Sequence, residues 1–155
     1  MLENIQPFVS KVTEFIPKDL SYTLDHVHYR PRTLDEYNQI LTELQEQGHT
    51  NLGEAEINGR LIATIELKEP IAGVRSIELS QPKPQQTKFG LQQLGVVIES
   101  FDQIDTEALE YQGGNPIYPR YHQPIDLDGS FCEIKYATKT LAQVTKEEQD
   151  HHETN

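Results

Sequence analysis

Apolar residues recur at helical spacing twice in the first third of the chain. The first set predicts an amphipathic helix within residues 1–18, and its members are Ile5, Phe8, Val9, Val12, Phe15 and Ile16. The second set predicts another helix, and its members are Leu34, Tyr37, Ile40, Leu41 and Leu44. Thr33, followed three residues later by Glu36, is typical of a helix start, and Gly48 is typical of a helix end.

Elsewhere the pattern changes to alternating and β-branched residues, which predicts strands. A strand over residues 21–30 ends at Pro31, and a hairpin joins "TNLGEAEI" to "LIATIELKEP" through Asn58-Gly59. "VRSIELS" predicts the next strand. After the proline-containing connector "QPKPQQTKFG" come a strand "LQQLGVVIES", a short helix "IDTEALEY", an edge or loop "NPIYPRYHQ" and a last strand "SFCEIKYAT".

The two halves of the chain therefore share the plan of a strand, a helix and further strands. We predict an α+β protein built from two βαβββ modules, at residues 20–80 and 88–138, preceded by the N-terminal helix. Together they form a single domain over residues 1–140. Residues 141–155 are polar and acidic, and we expect them to form a frayed tail that includes His151 and His152.

Composition narrows the classes of partner and of metal site. The 155 residues carry 25 acidic and 13 basic side chains, a net charge of -12, which disfavours nucleic acid and anionic membranes as partners. No apolar run is long enough for a membrane span, so we expect a soluble, cytoplasmic protein. The single cysteine, Cys132, excludes an internal disulfide and a thiolate zinc cluster, and we expect it to be a buried packing residue.

Two histidines lie one residue apart in "DHVHYR", within the first predicted strand. Because strand side chains alternate, His26, His28 and Arg30 are expected on one face, and Asp25 and Val27 on the other. A face with two imidazoles and a guanidinium is unlike a core. Either it lines a cleft, or His28 and Arg30 are solvated and His26 is hydrogen-bonded to a neighbour.

"DHVHYR", the capped helix, "INGRLIATIELKEPI" and "SIELSQP" follow one another in an order that resembles the YecM-like branch of the glyoxalase or vicinal-oxygen-chelate superfamily. The resemblance implies paired modules whose curled sheets form a cleft that often holds a divalent metal. It assigns His26, Glu78 and Glu133 as metal ligands. Because His26 and His28 lie about 7 Å apart along a strand, one is expected to be a ligand and the other, His28, an acid or base. Relatives carry a ligand histidine where this chain has Gly95. Replacements for it are His28 or the loop residues Tyr118, Arg120, Tyr121 and His122.

The implied function is a metal-dependent enzyme of isomerase, lyase or dioxygenase type, acting on a small molecule in the cleft. One imidazole with two carboxylates suits Mn²⁺, Mg²⁺ or Fe²⁺, and Ni²⁺ or Zn²⁺ by general affinity. Arg120 is expected to act with His28 in the catalytic site or, in the alternative without a metal, to bind an anionic group. The alternatives are a non-catalytic ligand-binding or partner-binding protein on the same fold and a subunit with a role in assembly. The chain is expected to be a monomer or a homodimer.

Overall fold

Eight strands form one mixed sheet in the computed structural model of the chain, which describes residues 1–153, with side chains as far as residue 150. The strands are β1 (Thr23–Arg30), β2 (Thr50–Ile57), β3 (Arg60–Ile71), β4 (Val74–Ser80), β5 (Gly90–Val97), β6 (Glu110–Gln112), β7 (Arg120–Leu127) and β8 (Ser130–Ala137). Their order across the sheet is β2-β3-β4-β1-β5-β8-β7-β6.

The strand order shows that the two halves of the sheet have the same topology. In each half the first strand pairs in parallel with the fourth, β1 with β4 and β5 with β8, and the remaining pairs are antiparallel. The halves meet where β1 and β5 pair antiparallel. The predicted α+β fold of two modules is thus confirmed.

Helices α1 (Ile5–Val12) and α2 (Leu34–Glu46) occupy the positions that the apolar pattern predicts. The Thr33 hydroxyl caps α2 by accepting a hydrogen bond from the Glu36 amide at 3.0 Å. The short helix predicted from "IDTEALEY" does not form. A single 3₁₀ turn, Thr106–Ala108, precedes the edge strand β6 instead, because so short a segment gains too little from helical hydrogen bonds alone.

The expectation of a frayed C-terminal tail is wrong, because a third helix, α3, spans Leu141–Glu153. Leu141, Val144 and Thr145 are buried, so one side of this polar segment packs against the sheet. The Thr145 hydroxyl donates to Thr64 on β3 at 3.0 Å, and Gln149 donates to the Leu52 carbonyl at 2.6 Å. The side chains of His151 and His152 lie outside the described residues.

The two faces of the sheet differ in chemistry. Helices α1 and α2 pack on one face, where Val27, Leu79 and Leu94 belong to the main hydrophobic core. Strand alternation directs His28 and Glu78 to the other face, and α3 crosses that face. Within residues 1–153 no helix is long and apolar enough to cross a membrane.

Candidate functional site

Strand register places four polar residues side by side on the face that α3 crosses. Glu78 on β4 is paired with His28 on β1, His28 with Gln93 on β5, and Gln93 with Glu133 on β8. We call Glu78, His28, Gln93 and Glu133 the polar row. Each central strand of the two modules contributes one of its members, so the row crosses the junction between the modules.

The His28 ring is contacted by three oxygen atoms, two from the polar row and one from Ser80. Its Nδ1 lies 3.2 Å from Glu78 Oε1 and 3.2 Å from Gln93 Oε1. Its Nε2 lies 2.9 Å from the Ser80 hydroxyl, which fixes the orientation of the ring. Because the ring is 5% exposed, the imidazole is held by protein groups and not by solvent.

The polar row continues through Gln93 to a second histidine. Gln93 Nε2 donates to Glu133 Oε2 at 3.0 Å, and the same carboxylate oxygen is hydrogen-bonded to His122 Nδ1. The hydrogen bond from His122 holds the pKa of Glu133 below its usual range, although burial opposes it. The other ring nitrogen of His122, Nε2, is buried and has no partner.

A second polar group lies beside the row and is built around His26. Its Nδ1 contacts Asp25 Oδ2 at 2.7 Å and its Nε2 contacts Lys135 Nζ at 3.2 Å. The expected split of Asp25 and His26 onto opposite faces is wrong, because a bulge between Leu24 and His26 turns both side chains the same way. Asp25 also accepts the first amide of α3, from Leu141, at 2.8 Å.

Gly95 has a steric role at the place where relatives were expected to carry a histidine. It pairs with His26 on β1 and with Lys135 on β8. A Cβ atom at residue 95 would overlap the His26 imidazole, so only glycine leaves room for that ring. Residue 95 therefore has no side chain that could bind a metal because the His26 ring occupies the space that such a side chain would need.

Buried charges set the protonation of this region. Burial raises the pKa of Glu78, but Lys135, His28, His26 and Arg120 together outweigh burial and hold that pKa well below its usual range. Burial lowers the pKa of His28 to about 4 against the opposing effect of Glu78. Burial also lowers the pKa of Lys135, while Glu78, at 3.5 Å, opposes that change. At neutral pH the row thus contains an ionised Glu78 and a neutral His28.

The polar row lies in a cleft of about 740 Å³ between the sheet and α3. Arg120 lines it, donating to the Tyr118 carbonyl at 2.9 Å and to Gln112 at 3.3 Å. The pKa of Tyr118 is raised well above its usual value, chiefly by burial, so its hydroxyl keeps its proton. Of the described residues, three have a buried side-chain polar atom without a partner, and all three line this cleft: Arg30, Tyr118 and His122.

The structure does not bring the three ligands implied by the resemblance to a common point. His26 contacts Asp25 and Lys135, Glu78 contacts His28 and Lys135, and Glu133 contacts His122 and Gln93. Within residues 1–150 no group of three or more His, Cys, Asp and Glu side chains is arranged to hold a metal ion. On β1 it is His28, and not His26, that lies in the polar row, and Arg120 is among the residues that line the cleft.

Sequence reasoning missed Gln93, Lys135 and Asp25. Gln93 stands two residues before Gly95 in "LQQLGVV", so alternation places both on one face. A glutamine on the same face as Gly95 could therefore have been recognised from the sequence as a candidate site residue. Lys135 and Asp25 gave none, because their contacts depend on the pairing of β8 with β5 and on the bulge in β1.

Comparisons with known proteins agree with the fold. The YecM protein family model matches residues 1–145. The structural-genomics protein EC4020 has 16% sequence identity and a TM-score of 0.67, covering 95% of this chain and 88% of its own. A methylmalonyl-CoA epimerase from Mycobacterium tuberculosis has 19% identity and a TM-score of 0.54, covering 85% and 99%. A hypothetical protein from Bacillus halodurans has 16% identity and a TM-score of 0.52, covering 77% and 97%.

No curated protein matches the chain significantly. At these identities the structural matches establish the fold alone. The family model covers nearly the whole chain, and the paired modules agree with it. The chain belongs to the YecM family and has the vicinal-oxygen-chelate fold.

Proposed function

We propose that the protein is a divalent-metal-dependent enzyme of isomerase, lyase or dioxygenase type that acts on a small molecule in the cleft. The observation that carries this proposal is the polar row. It offers an imidazole, two carboxylates and an amide, one from each central strand, where both modules meet. We therefore propose His28, Glu78, Gln93 and Glu133 as ligands, with His28 in place of His26.

The residue types of the polar row, an imidazole with carboxylate and amide oxygens, are those that bind hard divalent cations, and Glu133 would have to move to join the other three. Glu78 Oε1 and Gln93 Oε1 each lie 3.2 Å from His28 Nδ1, so these three side chains would hold the ion. With an ion bound, His28 would donate from Nε2–H to Ser80, which would free the Nδ1 lone pair to bind the ion. Glu133 contacts the amide nitrogen of Gln93, so it would turn to become the fourth ligand.

A bound ion would supply Lewis acidity to neighbouring oxygens of the substrate. The protein would supply binding and proton transfer around it. His122, with Nδ1 held by Glu133 and Nε2 without a partner, is placed to take or give a proton at Nε2. This assigns to His122 the proton-transfer role first expected for His28. The Tyr118 hydroxyl and the Arg120 guanidinium would bind substrate oxygens.

The second candidate is a non-catalytic binding protein on the same fold. It is favoured by Lys135, whose ammonium lies 3.5 Å from Glu78 Oε1 and 3.2 Å from His26 Nε2. A buried ammonium at this point supplies positive charge that a metal would otherwise provide. In that case the cleft would bind its ligand without an ion.

Metal titration of chelator-treated protein separates the two candidates. We expect one Mn²⁺ per chain, measured by equilibrium dialysis and electron paramagnetic resonance, and at least tenfold weaker binding in His28→Ala and Gln93→Ala. Glu66→Gln is the matched control, because this exposed acid lies outside the cleft. His26→Ala should bind Mn²⁺ better than His28→Ala. If neither the unmodified protein nor Lys135→Met binds one ion per chain, the metal-dependent enzyme is excluded and the non-catalytic binding protein remains.

A further inference from the structure

Three cationic side chains stand together at one end of the cleft. Arg30 ends β1, Arg60 begins β3, and Lys83 lies in the connector after β4. We call them the basic trio. Within residues 1–150 none of the three has a carboxylate within salt-bridge distance. The three positive charges therefore lie together without a direct ion-pair partner.

The members of the basic trio act on one another. Burial lowers the pKa of Arg60 and Arg30 lowers it further, while Glu78 opposes the change. The pKa of Lys83 is lowered first by Arg60, then by burial and by Arg30. Mutual repulsion of this kind is relieved when an anion binds between the cations.

The charge of the cleft is opposite to that of the whole chain. Five Lys and Arg side chains line the cleft against three Glu side chains, whereas the chain as a whole carries 13 basic and 25 acidic residues. A cleft of one sign focuses its field and attracts ligands of the opposite sign. The net positive charge of the lining therefore favours an anionic ligand in this cleft, although the chain as a whole is negatively charged.

Arg30 also has an unused hydrogen-bond donor. Its Nε is buried and without a partner, although the residue lines the cleft. Arg30 follows His28 by two residues on β1, a separation of about 7 Å along a strand. An anionic group held by Arg30 would leave the neighbouring atoms of the same molecule over the polar row.

Apolar surface adjoins the basic trio. Ile57 pairs with Arg60 in the β2–β3 hairpin and is 47% exposed, and Ile62 and Ala55 pair in the same hairpin. These residues, with Ile117 and α3, line an arm of about 620 Å³ that shares part of its lining with the cleft. We call it the apolar arm. It provides a surface for the uncharged part of a ligand.

We propose that the ligand of the cleft is a small organic anion whose carboxylate or phosphate is bound by Arg30, Arg60 and Lys83. Its uncharged part packs against Ile57 and Ile62, and an oxygen-bearing carbon faces the polar row. The placement over the row rests on the function proposed above. Binding of the anionic group does not, because the trio lies outside the row and requires no metal.

Isothermal titration of metal-free protein at fixed ionic strength tests this proposal, with inorganic phosphate, malonate and butyl phosphate as probes. We expect one site per chain, and the tighter of phosphate and malonate identifies the anionic group. Butyl phosphate should bind several-fold more tightly than inorganic phosphate because its chain is buried in the apolar arm. Arg60→Gln and Lys83→Gln should each weaken binding about tenfold, since a hydrogen bond to a charged group is lost.

Matched variants separate a specific site from general charge. Arg75→Gln removes an exposed arginine of β4 outside the cleft and should change binding less than twofold. Arg60→Lys should retain more affinity than Arg60→Gln. Lys83 is exposed in the connector, so Lys83→Gln is expected to keep the fold intact. It therefore tests the basic trio even if Arg60→Gln fails to fold. Absent binding, or an equal loss in Arg75→Gln, would overturn the proposal. Anion binding without any Mn²⁺ binding would support the basic trio while removing the metal function.

Discussion

At the scale of single residues, the site depends on Gly95, which the family pattern suggests is a lost metal ligand. Gly95 stands where relatives were expected to carry a ligand histidine, yet its missing side chain is what accommodates the ring of His26. The ring in turn contacts Asp25 and Lys135. The identity of residue 95 alone shows only that it has no side chain to bind a metal. Its steric role becomes visible only from its contact with His26.

Gly95→Ala is expected to displace the His26 ring and destabilise the protein by about 1–3 kcal/mol, the usual cost of overpacking a filled site. Urea unfolding measures the loss, and the histidine resonances in an NMR spectrum report the displaced ring. Gly114→Ala is the control, because a Cβ there meets nothing within 4 Å. The double variant Gly95→Ala/His26→Ala should lose less stability than the sum of its single variants. Equal losses for Gly95→Ala and Gly114→Ala would contradict this role.

The remaining site residues could be assigned to strands from sequence but not to neighbours. Alternation correctly separates His28 from Val27, and the lone acids Glu78 and Glu133 from the core. Which acid faces which histidine depends on register, and a shift of two residues along β1 exchanges His26 for His28. The bulges in β1 depend on long-range strand pairing, so no local sequence pattern predicts them.

At the scale of elements, prediction succeeded where a segment carries its own signals. Helix α2 has a cap, a periodic apolar face and a terminal glycine, and the Asn58-Gly59 turn has positive φ at both residues, 53° and 81°. Helix α3 carries few such signals, since its polar composition hides the buried side at Leu141 and Val144. Its stability comes from contacts with the sheet, which the sequence of the segment does not display.

Helix α3 is expected to contribute to folding stability through its buried side. Leu141→Ala should cost about 2–5 kcal/mol, the usual range for removing a buried leucine, because Leu141 packs with Tyr118, Ala137 and Val144. Lys146→Ala, an exposed position of the same helix, should stay within about 0.5 kcal/mol. Urea denaturation followed by circular dichroism measures both variants. A frayed tail would instead make both substitutions neutral.

At the scale of the whole molecule, the duplicated plan of the chain predicted the architecture. The repeat can be recognised in the sequence from the order of the predicted elements alone. The sheet has the same strand order in both halves. The same symmetry explains where the polar row lies, because β1 and β5 meet at the centre of the sheet and each is flanked by the last strand of its own module. The second module departs from the plan in lacking the helix that matches α2, so the repeat guides the fold without fixing each element.

The lone cysteine provides a measure of cooperative opening of this sheet. Cys132 on β8 is 6% exposed within the main core, and burial raises the pKa of its thiol, so the native state offers little thiolate at pH 8. Labelling by a disulfide reagent should be at least about 1,000-fold slower in native protein than in urea-unfolded protein, because a stability of roughly 5 kcal/mol keeps the open state rare. Leu141→Ala should accelerate native labelling by the factor that its measured destabilisation predicts, and Lys146→Ala should not. Native labelling as fast as that of the unfolded chain would show that β8 opens without the rest of the sheet.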